Sequence, residues 1–454
     1  MSNLDNMKGN RVLVVGFGRS GQAAARVMAR MGAEVSVQDA KKESQIDSNL
    51  LTFYRGQGVT FYLDSMPPDM GAFDQIILSP GASPELGFVQ EGKEKGAEII
   101  GELEIAYRVG KGNYVAITGT NGKTTTTTLV GEIFRAAGRG TYVVGNIGTA
   151  VINASTESSE KDWLVTECSS FQLETTRYFK PVVSAILNLT PDHLNRHHTM
   201  EAYGKAKAKI FANQTEAGYL VINQDDRLCF SLAEGCRARI VPFSVKQELP
   251  FGAFLRGDTL VLRDDEKEIE ICTRGDLKII GMHNVQNVLA AAAISYFAGI
   301  EPAVITRVVK EFAGVAHRIE YCGKVDDVLY YNDSKGTNTD ATEIALRAME
   351  RDVILIAGGD SKGQDFGTLV RLFPGKVKHL VLLGRDAHFI REACDAIGYG
   401  DYTFCKDMEE CVRTAAALAS PGDVVLLSPA CASWDMYNNF EQRGDHFKDC
   451  VSRL

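Results

Sequence analysis

The chain carries 10 cysteines but no Cys-x-x-Cys pair. Thiols scattered in this way fit a reduced compartment and argue against a disulfide framework or a structural zinc site. No uninterrupted apolar run approaches the roughly 20 residues that a membrane-spanning helix needs, and no secretory signal pattern is visible, so a cytoplasmic protein without a membrane partner is expected. Positive charge is not in excess. With 49 basic and 58 acidic residues the chain stands at −9, which excludes a general attraction to nucleic acid or anionic lipid but permits local basic pockets for phosphates. No internal repeat or low-complexity tract stands out apart from five consecutive threonines, 124–128.

What is present is a chain of 454 residues, about three domains' worth at roughly 150 residues each. Short β-branched runs alternate with longer helical stretches in three series, the pattern of parallel sheets covered by helices. The first series has "RVLVVG", "EVSVQD", "FDQIILSP" and "AEIIGE" and ends near Gly101. The second runs through "YVAITG", "TYVVGN", "WLVTEC", "VSAILNLT" and "YLVIN". It continues into "DTLVLRDDEKEIEICT", whose alternation predicts an antiparallel hairpin on one edge, and then a helix at "HNVQNVLAAAAISYFA". The third has "DVILIAGGD", "KHLVLLG" and "DVVLLSPA", with "FAGVAHRIE" (312–320) as the linker into it.

In "AITGTNGKTTTTTL" a strand ends in Gly-x-x-Gly-Lys-Thr. That arrangement aims backbone N–H groups at a phosphate, with Lys123 reaching the terminal phosphates and a hydroxyl on Mg²⁺. The common nucleotide loop has a glycine five residues before Gly122, where this chain has Ile117, so the loop is a shortened variant. An ordinary strand-to-helix turn explains the glycines but not a lysine opening a threonine-rich helix. A second glycine motif, "GFGRSG" (16–21), follows a strand, opens a helix and is trailed by Asp39. Gly16, Gly18, Arg19 and Ser20 suit a pyrophosphate and Asp39 a ribose hydroxyl, whether the ligand is a UDP-sugar or a nicotinamide dinucleotide. Ser79 and Gly81 in "SPGAS" either line the same crevice or form a plain turn.

Glu167 closes "WLVTEC", and the Asp192-His193 pair follows "AILNLT", both where ligands gather in parallel sheets. Glu167 is a candidate Mg²⁺ ligand beside the Thr124 hydroxyl; the alternative is a helix-capping acid. The three histidines of "DHLNRHH" lack the cysteine or carboxylate spacing of a zinc site. On the helix of "AYGKAKAKIF", Lys205 and Lys209 share one face, expected to be solvated. Lys207 points about 160° away and needs an inner partner or a snorkelling path. In the last third, Lys335, Thr337, Lys362 and Ser433 follow strands and can hold an anionic substrate, or be loop residues with no ligand.

Taken together, "GTNGKTT", "ECSSFQLE", "DHLNRHH", "HNVQN", "AHRIEY", "NDSKGTN", "GGDSKG" and "SPACASWD…NFEQRG" resemble the Mur ligases of peptidoglycan synthesis, over essentially the whole chain and in order. The last three resemble the D-glutamate-adding branch. The resemblance implies an α/β fold of three domains: a Rossmann-like UDP-binding domain (1–101), a central P-loop ATPase-like domain with a mixed sheet (102–313) and a C-terminal Rossmann-like domain that receives the amino acid (314–454). It implies a monomeric cytoplasmic ligase that joins D-glutamate to UDP-N-acetylmuramoyl-L-alanine through an acyl phosphate, using ATP and two Mg²⁺ ions. Gly119, Thr120, Asn121, Gly122, Lys123, Thr124 and Thr125 would cradle the ATP phosphates, and Asn287, His317 and Arg318 would lie near the nucleotide. Thr124, Glu167 and His193 would lie near the Mg²⁺ sites, with Lys207 matching the family's carbamylated lysine. Asn146 would contact the muramoyl substrate, and Thr337, Lys362, Ser433 and Phe440 would hold D-glutamate. Trp434 and Met436 depart from the family's C-terminal motif, where smaller or more polar neighbours are expected, and His197-His198 is richer in histidine than expected. Two other classes remain: a nicotinamide dehydrogenase, which leaves the second phosphate loop idle, and a related ligase that adds another amino acid or extends folate with glutamate.

Overall fold

The structure, a computed structural model, describes residues 7–454. By internal contacts it forms two units, one running to Arg274 and taking in Gln286–Lys310, the other Gly275–Val285 with Glu311–Leu454. The first unit opens with β1 (Arg11–Val15), β2 (Glu34–Asp39), β3 (Thr60–Leu63), β4 (Gln75–Leu78) and β5 (Glu98–Gly101), all parallel in the order β3-β2-β1-β4-β5. Strand β1 reads as a continuous apolar run because it is covered on both faces. The helix Arg19–Arg30 lays Ala23, Ala24, Val27 and Met28 on it. Between β1 and β4 the strand order reverses, which opens a crevice at their carboxyl ends.

The second sheet of this unit comprises β6 (Asn113–Thr118), β7 (Thr141–Gly145), β8 (Trp163–Glu167), β9 (Val183–Ile186), β10 (Tyr219–Asn223), β11 (Arg239–Ser244), β12 (Gly252–Arg256), β13 (Thr259–Arg263) and β14 (Glu268–Thr273). Its order is β14-β13-β12-β11-β10-β9-β6-β8-β7, parallel from β7 to β12, with the expected antiparallel hairpin β13–β14 at the edge. One buried apolar cluster runs without a break from Val12 and Val14 of the first sheet to Ala116 and Ile186 of the second. Strands β11 and β12 escape the sequence pattern. Pro242 sits inside β11, and β12 pairs in parallel only with its last residues, Phe243 and Ser244, so that no ladder bond from Pro242 to β12 is needed.

The second unit contains β15 (Glu320–Val325), β16 (Val328–Asn332), β17 (Val353–Ala357), β18 (Val377–Leu382), β19 (Tyr402–Phe404) and β20 (Val424–Leu427), in the order β15-β16-β20-β17-β18-β19. All pairs are parallel except the β15–β16 hairpin.

The helix Glu102–Val109, just after β5, holds Glu104, which has no exposed surface. Its carboxylate accepts from Arg108 Nε at 2.7 Å and from the backbone N–H groups of Arg177, Tyr178 and Phe179 at 2.9–3.1 Å. Glu104→Ala strands these buried donors and is expected to destabilise the first unit by about 3–5 kcal/mol. The check is a lowered urea midpoint, with no change in Glu91→Ala, which breaks only the exposed pair with Lys95. Equal midpoints for the two variants would show that this network does not hold the unit together.

Candidate active site

Strand β6 delivers the chain into Gly119–Gly122 and then into the helix Lys123–Ala136. Gly119 (φ +153°) and Gly122 (φ +82°) lie in the left-handed region, which favours glycine. A Cβ on Gly122 would sit 2.3 Å from Asn287 Oδ1. The helix begins at the loop without a side-chain cap hydrogen bond, and a helix N-terminus favours an anion. Lys123 folds back over the loop and donates to the carbonyls of Gly119 (2.9 Å) and Thr120 (2.7 Å). Thr124 and Thr125 are buried in the first turn, and Thr126 Oγ1 donates to Asn287 Oδ1 at 3.4 Å.

Lys207 approaches the same loop from the helix Met200–Ala208. It is 1% exposed, its Nζ donates to Gly119 O at 2.8 Å, and it lies 4.3 Å from the centroid of the Tyr203 ring. Burial first, and the Lys123 charge second, push its pKa well below the usual lysine range. Lys205 is exposed and paired with Glu201. Lys209 corrects the expectation of a shared solvated face: a 3₁₀ turn starts there, and its Nζ donates to Glu174 O in a part-buried setting.

Glu167 ends β8 beside Ile117 of β6 and is 1% exposed. Its Oε1 accepts from Asn146 Nδ2 at 2.8 Å, and its Oε2 is buried with no hydrogen-bond partner. A buried carboxylate oxygen left open in this way suits a cation, and hard Mg²⁺ takes few protein oxygens when phosphates supply the rest. The open Glu167 Oε2 is an oxygen donor of the kind that fits Mg²⁺. Asn146, expected at the muramoyl substrate, has its side-chain amide on Glu167. The three histidines diverge. His193 (φ +54°) lies half-exposed, 3.4 Å from Asp192, His197 is buried against Phe171 and bonded to Ser170 Oγ, and His198 is exposed near Glu85.

At the switch point of the first sheet a cleft of about 470 Å³ is lined by Gly16, Gly18, Arg19, Ser20, Asp39, Ser79 and Gly81, which brings the candidates of both motifs together. Ser79 Oγ donates to Gly16 O at 2.8 Å, and a Cβ on Gly21 would strike Gly16 O at 1.8 Å. The Asp39 carboxylate accepts from the N–H groups of Phe17 (2.6 Å) and Lys41 (2.9 Å), so it shapes the loop that a ribose would meet. Arg19 donates to Gly148 O at 2.7 Å.

In the second unit the loops after β16, β17 and β20 converge. Gln364 Nε2 reaches the carbonyls of Thr337 (3.4 Å), Ser361 (3.0 Å) and Ala430 (3.3 Å), and Asp360 bridges Ala432. Lys362 and Ser433 flank that bridge. Buried Arg443 donates to Ser334 O (2.8 Å) and Cys431 O (3.1 Å), and burial lowers its pKa to about 10. Phe440 opens the helix Phe440–Val451, and its carbonyl accepts from Ser334 Oγ. Lys335 Nζ lies 5.4 Å from the centroid of the Phe440 ring. His317 (φ +62°) is held in this unit by Asn332 and Glu320, and Arg318 Nε is buried without a hydrogen-bond partner.

Residues 10–101 match the Mur ligase MurD-like N-terminal domain, 117–295 the Mur ligase middle domain and 317–431 the Mur ligase glutamate ligase domain. Of the curated relatives named UDP-N-acetylmuramoylalanine--D-glutamate ligase, that of Clostridioides difficile is 45% identical over 450 residues, 99% of this chain and 100% of that protein. That of Alkaliphilus metalliredigens is 44% identical over 451 residues, 99% of each. The chain belongs to the Mur ligase family. Solved Mur ligases share its three-domain α/β fold. MurF from Acinetobacter baumannii aligns with TM-score 0.62 at 16% identity, over 96% of this chain and 93% of that one. UDP-N-acetylmuramate-alanine ligase MurC from Thermotoga maritima aligns with TM-score 0.59 at 19% identity, over 98% and 99%.

Three residues that organise the loops of this Mur ligase are not among the sequence candidates, although Arg443 falls within "NFEQRG" and Asn188 within "VSAILNLT". Asn188 accepts from the N–H groups of Thr120 and Asn121 through Oδ1 and donates to Asn121 O through Nδ2. Gln364 and Arg443 do the equivalent for the loops of the second unit. Their signal is weak, because an amide or guanidinium that bonds backbone carbonyls needs no fixed spacing in the chain. Gly122→Ala places a methyl against Asn287 at a left-handed φ, a strain of roughly 1–2 kcal/mol before the clash is counted. ATP affinity is expected to fall at least about tenfold, since 1.4 kcal/mol is a factor of ten. Calorimetry of ATP binding checks this, and unchanged affinity would reassign the loop.

Proposed function

We propose that this Mur ligase joins D-glutamate to UDP-N-acetylmuramoyl-L-alanine with hydrolysis of ATP, in peptidoglycan precursor synthesis. The observation that carries the reading is the end-to-end similarity to relatives of that name, on a chain whose middle sheet ends in a phosphate loop. The sheets divide the work: residues 1–101 hold the UDP moiety in the switch-point cleft, 102–313 hold ATP, and 314–454 hold the amino acid through Thr337, Lys362, Ser433 and Phe440. The enzyme is read as a monomer of the cytoplasm. No helix among the described residues is long and apolar enough to cross a membrane.

The γ-phosphoryl group moves to the substrate carboxylate, giving an acyl phosphate and ADP. The amine of D-glutamate attacks the acyl carbon, and the tetrahedral intermediate expels phosphate as the amide forms. Lys123, parked on the Gly119 and Thr120 carbonyls, has only to turn to meet the β- and γ-phosphates, while the N-terminus of its helix faces the phosphate oxygens. Bound at Glu167 and Thr124, with His193 nearby, Mg²⁺ would neutralise charge on the transferring group and orient it. Asn146 fixes the Glu167 carboxylate by occupying Oε1 and leaving Oε2 for the ion.

Lys207 works as a carbamate in this reading. Its neutral amine attacks CO₂, an N–C bond forms and a proton leaves to solvent, which turns the neutral amine beside Lys123 into an anion able to bind Mg²⁺. Arginine cannot undergo this step.

Phosphate release with the UDP-muramoyl-alanine substrate is expected with D-glutamate and not with D-alanine, because a neutral side chain leaves the cation and hydroxyls of Lys362, Thr337 and Ser433 without their carboxylate partner. Equal rates with D-glutamate and D-alanine would overturn the assignment. Lys123→Ala is expected to abolish phosphate release with the fold intact by circular dichroism, and turnover within about threefold of wild type would remove Lys123 from the chemistry. Lys207→Arg is expected to lose nearly all turnover, and Lys207→Ala to be partly rescued by short-chain carboxylates. Full activity in Lys207→Arg would rule out the carbamate.

A further inference from the structure

Trp434 leaves 66% of its surface exposed on a loop that is firmly held. Asp435 Oδ2 accepts from Arg385 N–H at 2.8 Å, Tyr437 N–H donates to Ser433 O at 2.8 Å, the Tyr437 hydroxyl bonds His446 Nδ1 at 2.9 Å, and Ala432 bridges Asp360. An indole of this size on so fixed a backbone is not explained by loop packing. Its charged neighbour is Lys362, whose Nζ lies 4.8 Å from the ring centroid.

Lys362 itself is held in an uncommon conformation. Its φ is +51°, left-handed for a residue with a Cβ, and its N–H donates to Asp360 Oδ1 at 3.1 Å. Among the described residues its ammonium makes no ion pair with a carboxylate. A carboxylate partner would neutralise the lysine and compete with an incoming acidic ligand. An aromatic face instead attracts the cation through its quadrupole and leaves the N–H donors on the far side free for a ligand carboxylate. Holding a flexible lysine in one place also lowers the ordering cost that binding would otherwise carry.

We propose that Trp434 is a positioning residue for the amino-acid substrate: its indole face holds the Lys362 ammonium at the mouth of the subsite formed with Thr337 and Ser433, so that a side-chain carboxylate meets an oriented cation. The inference rests on the reading of this subsite as the D-glutamate site, and it gives a purpose to a residue that departs from the family's motif.

The test uses the full chain with W434F, W434L and W434A in the phosphate-release reaction. W434L and W434A raise KM for D-glutamate about three- to fivefold, the size an exposed cation–π contact supports. In both, kcat stays within about twofold and the KM values for ATP and the UDP substrate do not move, while W434F, which keeps an aromatic face, stays close to wild type. A second readout needs no turnover. The chain has two tryptophans, Trp163 in the buried strand β8 and Trp434, so a D-glutamate titration changes indole emission in wild type and not in W434F. An unchanged KM in W434A and W434L, an equal rise in W434F, or emission that ignores D-glutamate in wild type overturns the proposal. If wild type turns over a different amino acid and not D-glutamate, the substrate reading falls, and the same KM split measured with that amino acid decides the role of Trp434.

Discussion

Two lysines share one carbonyl. Lys123 and Lys207 both donate to Gly119 O, at 2.9 and 2.8 Å, and much of the first unit is arranged so that this can happen. Two ammonium groups in a partly desolvated site repel each other, and an effective dielectric near 20 leaves several kcal/mol between unit charges about 4 Å apart. Burial first, and the Lys123 charge second, push the Lys207 pKa well below the usual lysine range.

The sheet order supplies the remaining groups. Strand β6 lies between β8 and β9, so the chain leaving β6 into the phosphate loop is flanked by Glu167 at the end of β8 and by Asn188 just past β9. Glu167 presents its open oxygen where Asn146 has taken the other, and Asn188 clamps both N–H and C=O groups of the loop. Parallel strands end together on one edge, and their side chains converge there without being near in the chain. The same rule places Gly16 and Ser79 at the carboxyl ends of β1 and β4, and the Thr337, Lys362 and Ser433 loops at those of β16, β17 and β20.

Elements with strong local signals are legible in the amino-acid sequence. The glycine positions at 16, 119 and 122 can be read because only glycine combines a left-handed φ with so close an approach to neighbouring atoms. The central strands β1, β6, β8, β17 and β20 can be read because burial on both faces demands unbroken apolar runs. Strands β3, β15 and β19 cannot, since they are half-exposed edge strands with no fully buried residue to impose an unbroken apolar run.

By itself the sequence determined the three series of α/β elements, the two phosphate-type glycine turns and the inward heading of Lys207 opposite Lys205, because each of these follows from spacing along a single element. Tertiary structure alone decided that Asn146 would orient Glu167, that Lys209 would turn its ammonium to the Glu174 carbonyl, and that Trp434 would stand over Lys362. Each of those depends on which strands become neighbours, and strand order is set by how the whole apolar surface is covered rather than by any local pattern.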